Sequence, residues 1–165
     1  MSIAGRLLPV CVLGCALLLA GCDGFPARSP KPSWEKTMQA YASRDYGALW
    51  DQLAEVSRKD TEHVLTYIRR DARYRQNMQL KLQITATVLD RMTPRDFFIA
   101  LMAAAERAAP EAIALRAQTA RDARYTRESI DGDRAVVFWD SAQGGAENMT
   151  FVRESGGWRP VIERP

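Results

Sequence analysis

The sequence predicts an α+β fold in which N-terminal helices pack on a curved four-stranded antiparallel sheet. Apolar residues recur at helical spacing in the first half of the chain, whereas short strand-like runs separated by Gly-containing turns follow Tyr125. Of the 165 residues, 47% are hydrophobic and 26% are charged, which is typical of a globular protein and not of a disordered tail. The formal net charge of +3 argues against a dedicated nucleic-acid-binding surface.

Residues 1–21 predict a signal peptide. Arg6 is the only charged residue before Asp23. Residues 7–20 form an uncharged apolar run, which is typical of a signal-peptide core and short for a membrane span. The segment therefore predicts export of the chain.

The end of this segment carries a motif for lipidation. Leu19-Ala20-Gly21-Cys22 resembles the lipobox of bacterial lipoproteins, in which the Cys thiol takes a diacylglyceryl group and cleavage leaves that Cys first. The resemblance implies cleavage between Gly21 and Cys22 and lipidation of Cys22. Ordinary secretory cleavage and a buried structural cysteine are the alternatives.

The lipid anchor implies a location. Two acyl chains hold a protein stably on a bilayer, where one chain binds marginally. We therefore expect a protein anchored to the bacterial cell membrane, with its domain on the periplasmic side. Asp23 resembles the inner-membrane retention signal of enterobacterial lipoproteins, but the choice between inner and outer membrane stays open.

The chain after the signal divides into a tether and a domain. Residues 22–32 contain three prolines and little to bury, which favours an extended, polyproline-like spacer. The folded α+β domain is expected over residues 33–165, a length sufficient for one hydrophobic core.

The domain is predicted to begin with a helical hairpin. Ser33 is a candidate N-cap for a first helix that ends near Ser43. Asp45 is a candidate cap for a second helix, in which Tyr46, Leu49, Trp50 and Leu53 repeat at helical spacing.

A third helix is predicted to begin between Ser57 and Asp60, whose spacing resembles a capping box. Its buried side is expected to carry Val64, Tyr67, Ile68 and Met78. Residues 80–89 fit either a strand or a helix, because strictly alternating apolar residues also offer helical spacing. No Gly or Pro separates them from the helix before, which favours a continuing helix.

The last predicted helix has the clearest start. Thr93 is a candidate N-cap, Pro94 suits the first helical position, and Asp96 faces the helix dipole. Phe97 and the apolar residues after it are expected to face inward until Pro110 ends the run.

The second half of the domain predicts a meander of four strands. The turns are marked by Asp131-Gly132, by Gly144-Gly145 and by residues 155–157. The strands are expected over residues 125–130, 135–139, 149–152 and 158–162. Ala135, Val137 and Trp139 occupy alternate positions that suit the face covering the helices.

Several segments resemble the nuclear-transport-factor-2-like (SnoaL or ketosteroid-isomerase-like) cone domains of uncharacterised bacterial lipoproteins. They are residues 40–50 at the first helix pair, 131–137 at the hairpin, and 151–159 with the Gly-Gly-Trp strand start. The resemblance spans residues 34–162. It implies a cystatin-like cone with a cavity between sheet and helices, but it implies no single activity, since this fold serves enzymes, ligand binders and interaction domains.

Six residues are candidates for lining that cavity. Asp45 is a candidate acid, the tyrosines offer hydroxyls, and the tryptophans offer stacking surfaces, although a cap or core role explains each of them too. The six are Tyr41, Asp45, Trp50, Tyr67, Tyr125 and Trp139. His63 is the only histidine and Cys22 the only cysteine left after cleavage, so we predict no metal site. Because no Gly-rich phosphate loop, no Ser/His/Asp order and no paired-carboxylate spacing stands out, we predict no cofactor and no catalytic residue.

The sequence therefore favours a membrane-tethered domain of the cell envelope that binds a small apolar ligand or an envelope protein. An isomerase or hydratase of the same fold is the first alternative. A structural envelope protein without a pocket is the second.

Overall fold

The computed structural model describes residues 28–141 and 145–162. Within these residues the chain is an α+β protein with seven helices followed by a four-stranded antiparallel sheet. The elements are α1 (Lys31–Ser43), α2 (Tyr46–Gln52), α3 (Glu55–Arg70), α4 (Ala72–Leu82), α5 (Ala86–Arg91), α6 (Pro94–Ala108), α7 (Pro110–Asp122), β1 (Arg124–Asp131), β2 (Arg134–Asp140), β3 (Ala146–Glu154) and β4 (Gly157–Pro160).

The predicted signal peptide and the lipidation site at Gly21 and Cys22 lie outside the described residues, as does most of the predicted tether. Of the helices within the described ranges, none combines the length and the apolar character that crossing a membrane requires.

The first helix begins earlier than predicted, and the Ser33 cap is wrong. Helix α1 starts at Lys31 after Pro30, with no side-chain cap. The Ser33 hydroxyl instead donates to the Trp158 carbonyl oxygen at 2.6 Å, and the Ser29 hydroxyl donates to Glu128 at 2.6 Å. The end of the predicted spacer therefore packs on the sheet.

The start of α2 is as predicted. The Asp45 carboxylate accepts a hydrogen bond from the Ala48 backbone N–H at 2.8 Å, which satisfies one of the free donors at the helix start.

The predicted long third helix is wrong, because the segment is divided into α3, α4 and α5. Helix α3 begins at Glu55 without the predicted capping box. The Asp71 carboxylate accepts from two backbone N–H groups and starts α4. Helix α4 ends at Leu82, and Gln83 after it is in a left-handed conformation (φ 59°). Thr85 caps α5. Local capping thus breaks the helix without any Gly or Pro.

No part of residues 80–89 forms a strand, so the choice of helix over strand is confirmed. The expected continuous helix is wrong, because a turn at residues 83–85 separates α4 from α5. The predicted buried side of the third helix is partly wrong. Ile68 is buried and Met78 is half-buried, whereas Val64 and Tyr67 are exposed.

The capping box that starts α6 is confirmed. The Thr93 hydroxyl accepts from the Asp96 N–H, and the Asp96 carboxylate accepts from the Thr93 N–H. Pro110 also begins α7, a helix that is not among the predicted ones. The missing N–H of Pro110 costs nothing at the first helical position.

The sheet is the predicted meander, in the order β1-β2-β3-β4. Gly132 supplies a positive φ of 57° in the β1–β2 turn, as the Asp-Gly pair predicts. Ala135, Val137 and Trp139 are buried on the face toward the helices, which is also as predicted. The last strand is shorter than expected, and Gly144 lies outside the described residues.

Three groups of buried side chains hold these elements together. The sheet core joins α1 to the strands through Trp34, Met38, Ala135, Val137, Trp139, Phe151 and Trp158. The helical core joins α3 to α6 through Leu65, Ile68, Leu82, Leu89, Phe97 and Ala104. The linking core lies among α1, α2 and α6 and contains Ala40, Leu49, Trp50, Leu53 and Phe98.

Candidate functional site

An open groove of about 430 Å³ lies between α1, α7 and the sheet. We call it the sheet groove. Its lining comprises Met38 and Tyr41 from α1, four residues of α7 and three residues of the sheet, which are Leu115, Arg116, Thr119, Ala120, Trp139, Glu147 and Met149. Its volume is within the range of small-molecule sites in proteins.

The floor of the sheet groove is apolar because it is the edge of the sheet core. Met38 and Trp139 are buried members of that core, and Met149 and Ala120 pack against it. Leu115 forms an exposed apolar wall on α7. The groove therefore offers a ligand apolar surface that is already held in place by packing.

The rim of the sheet groove carries its polar side chains, which are Tyr41, Arg116, Thr119 and Glu147. Met38 and Tyr41 lie three residues apart on α1, so they share a helix face and reach the same opening. Arg116 and Thr119 lie three residues apart on α7 in the same way. Glu147 faces Trp139 across the β2–β3 pairing.

Tyr41 is half-buried, whereas Arg116 and Glu147 are exposed. Burial raises the pKa of the Tyr41 hydroxyl, and the neighbouring Arg116 guanidinium acts in the opposite direction. The hydroxyl therefore keeps its proton at neutral pH and is available as a hydrogen-bond donor.

A small cavity of about 30 Å³ lies behind Tyr41 and Arg116, which line it as well as the sheet groove. We call it the inner cavity. It is closed by Arg44, Tyr46, Met102, Ile113 and Ala117. The Arg44 guanidinium pairs with Glu106 at 2.7 Å, and the Tyr46 hydroxyl donates to the same carboxylate at 3.0 Å.

A second apolar groove, of about 240 Å³, lies between α3 and α6. Its polar groups are engaged within the fold. The Ser57 hydroxyl oxygen accepts from the Ile162 N–H at 3.0 Å, and the Thr61 hydroxyl donates to the Ser57 carbonyl oxygen at 3.0 Å. The sheet groove thus has the better combination of apolar surface and available polar groups.

The structure brings two of the six predicted cavity residues, Tyr41 and Trp139, into the sheet groove. Asp45 is the cap of α2. Trp50 is buried against Phe98, with ring centroids 5.5 Å apart.

The two remaining candidates lie apart from the groove lining. Tyr67 is 55% exposed on α3, and its ring contacts that of Tyr74 in a tilted arrangement with the centroids 5.3 Å apart. The Tyr125 hydroxyl donates to Glu128 at 2.6 Å, and its ring contacts Trp34 edge-on at 5.6 Å.

Four groove residues on α7 were missed because no helix was predicted there. After Pro110, the buried Ile113 and Ala117 lie four residues apart, and the half-buried Ala120 follows Ala117 after three more. This spacing would have indicated an amphipathic helix. Met38 and Met149 lie on elements that were predicted, but their place in one groove depends on how α1 meets the sheet.

Among residues 28–141 and 145–162, no three His, Cys, Asp or Glu side chains are grouped so that they could hold a metal ion. His63 is an exposed residue of α3.

Comparison with models of protein families, with curated proteins and with solved structures gives no significant match to this chain.

Proposed function

We propose that this protein is a lipid-anchored protein of the bacterial cell envelope whose domain binds a small, largely apolar ligand in the sheet groove. The observation that carries the proposal is the groove itself. It combines an apolar floor, made of the buried Met38 and Trp139 and the half-buried Met149, with polar groups at its rim, as ligand sites usually do.

The anchor rests on the lipobox-like sequence that ends at Cys22. Six residues, 23–28, separate that cysteine from Ser29, whose hydroxyl is bound to Glu128 on β1. A fully extended chain of this length spans at most about 25 Å. The lipidated domain would therefore lie close to the bilayer surface, with the start of α1 and β1 nearest to it.

The cone of the nuclear-transport-factor-2-like domains is part of this proposal. The α+β order and the position of the groove between helices and sheet support it. In such a cone the ligand would lie between α1, α7 and the inner face of the sheet.

Binding without chemistry is supported by where the acids lie. An isomerase-type general acid or base must lie within hydrogen-bond reach of the bound substrate, in a site that excludes water. Asp45, the candidate acid, is an exposed helix cap, and Glu147, the carboxylate at the groove, is also exposed. The enzyme alternative would gain support from turnover of a ketosteroid that is lost in Asp45→Asn with the fold intact.

Ligand binding is tested by thermal unfolding of the full chain in lipid nanodiscs with dodecanoic acid, dodecanol, dodecylamine and a sterol. A ligand that prefers the native state adds about 2.7 kcal/mol at a hundredfold excess over its dissociation constant. We expect at least one of these amphiphiles to raise the melting temperature. The absence of a shift with all four at saturating concentration would contradict the proposal.

The anchor is tested separately by Cys22→Ala, which should abolish acylation and lipoprotein-type processing. Cys15→Ala is the matched control, because that cysteine lies within the predicted signal and should leave acylation unchanged. Continued cleavage after Gly21 in Cys22→Ala would indicate ordinary secretion instead.

A further inference from the structure

One end of the sheet groove presents two hydrogen-bond donors without partners among the described residues. The Tyr41 side chain is half-buried, and its hydroxyl has no hydrogen bond to any of those residues. Arg116 is exposed and makes no hydrogen bond or ion pair within them. Both groups line the sheet groove and the inner cavity, so they converge on one place.

The charge at this end of the groove is positive. Arg44 also lines the inner cavity, but its guanidinium is neutralised by Glu106. Arg116 has no such carboxylate partner among the described residues, and its charge acts on the Tyr41 hydroxyl. A guanidinium and a protonated hydroxyl are both donors, which suits an anionic acceptor.

The rest of the groove is mostly apolar. Met38, Trp139 and Met149 form its apolar floor, and Leu115 forms an apolar wall. Glu147, the acidic residue of the rim, lies opposite Trp139 on the neighbouring strand. The site is therefore amphipathic, with a donor-rich end beside an apolar surface.

We propose that the ligand is a single-chain amphipathic anion, with a carboxylate or phosphate head group bound by Arg116 and Tyr41 and an apolar chain lying on Met38, Trp139 and Met149. This inference rests on the proposed function of the sheet groove. Arg binds both head groups through paired N–H donors, so the two anions share one recognition chemistry.

The experiment uses the full chain in lipid nanodiscs and the quenching of tryptophan fluorescence by terminally brominated undecanoic acid and undecanol. Trp139 is in the groove floor, so a bound bromine quenches it, and Trp139→Phe should remove that part of the signal. Dodecyl phosphate, dodecanoate and dodecylamine are added as competitors to identify the head group. Ratios between variants cancel the partition of each probe into the disc lipids.

Two variants remove opposite charges from the rim of the same groove. Arg116→Gln should weaken binding of the brominated acid about tenfold, because hydrogen bonds to charged groups are worth more than neutral ones. Glu147→Gln should leave that binding unchanged or tighten it. Neither variant should change binding of the alcohol, and Tyr41→Phe should weaken the acid by a smaller factor. Both charged residues are exposed, so each variant is expected to keep its melting temperature.

The results separate the two proposals. Equal binding of acid and alcohol, unchanged in Arg116→Gln, would overturn the anionic ligand and leave the groove as a ligand site. Competition by dodecylamine that Glu147→Gln abolishes would overturn it in favour of a cation. The absence of Trp139 quenching by either probe would overturn both the anionic ligand and the proposed function. Stronger competition by dodecyl phosphate than by dodecanoate would support the proposal and identify a phosphate head group.

Discussion

The sheet core and the helical core are built in different ways. The sheet core is rich in aromatic rings and joins distant parts of the chain, since Ser33 on α1 hydrogen-bonds to Trp158 on β4. The helical core is mostly aliphatic and joins helices that are near one another in sequence. The groove borders the sheet core, so the candidate site is held by long-range packing.

The surfaces over the two cores differ as well. The helices α3, α4 and α5 leave large apolar side chains exposed, among them Tyr67, Tyr74, Leu80 and Val88. The exposed side chains near the sheet core include the charged rim of the groove. Leu115 on α7 is exposed too, but it lines the sheet groove, whereas Tyr67, Tyr74, Leu80 and Val88 do not.

The largest expected effect is the loss of Trp158, which is 1% exposed in the sheet core. Trp158→Ala should lower the free energy of unfolding by about 3 to 5 kcal/mol, because it removes a buried ring and leaves a cavity. Denaturant unfolding measures this value. A loss below about 1 kcal/mol would mean that the sheet core does not depend on this ring.

Two leucines, one buried and one exposed, test whether burial determines stability in the helical core. Leu89→Ala should cost about 2 to 5 kcal/mol, because this side chain is fully buried. Leu80→Ala, at a side chain that is 72% exposed, should change stability by at most about 0.5 kcal/mol.

The same pair tests how the two cores are separated. Leu89→Ala should leave the affinity of the sheet groove for its amphiphile unchanged, since the groove has no lining residue from α3, α4 or α5. A similar cost for both leucines, or a loss of groove binding in Leu89→Ala, would contradict this account.

A smaller effect is expected at the start of α6, beneath the helical core. Thr93→Ala should cost about 1 kcal/mol by removing half of the capping box. Hydrogen bonds from Thr93 hold the pKa of Asp96 below its ordinary value. Their contribution is therefore present above the unfolded-state pKa of about 3.9 and is lost as the pH falls through the lower folded-state pKa.

As the pH falls below about 5, Thr93→Ala should therefore lose less stability than the wild type loses, as measured by denaturant unfolding. Thr85→Ala, at the cap of α5, is the control, because Thr85 receives a longer hydrogen bond (3.3 Å) and forms no capping box. Parallel pH curves for wild type and Thr93→Ala would argue against the Asp96 contribution.

The parts of the fold that were predictable are those set by local chemistry. The caps at Asp45 and Thr93 follow from side chains that accept hydrogen bonds from backbone N–H groups three residues later. The Asp-Gly turn follows from a glycine, which adopts a positive φ without strain. The alternation of Ala135, Val137 and Trp139 likewise identifies the buried face of β2.

The wrong and missing predictions have physical reasons too. The break at Asp71 was missed because a cap can divide a helix without Gly or Pro, and the Ser33 cap failed because its hydroxyl binds a strand instead. Of the six residues predicted to line the cavity, only Tyr41 and Trp139 line the groove. The opposite wall of the groove is formed by α7, a helix that was not predicted. Packing of α7 beside α1 depends on residues far apart in sequence, which periodicity does not report.

The most direct test of the account is a substitution that fills the sheet groove. Thr119 lines the groove on α7, and the adjacent Gln118 is exposed and does not line it, so tryptophan is introduced at each position in turn. The readout is the thermal shift given by the most effective of dodecanoic acid, dodecanol and dodecylamine. We expect Thr119→Trp to lose the shift and Gln118→Trp to keep it, with both variants melting like the wild type without ligand. A full shift in Thr119→Trp would contradict ligand binding in the groove.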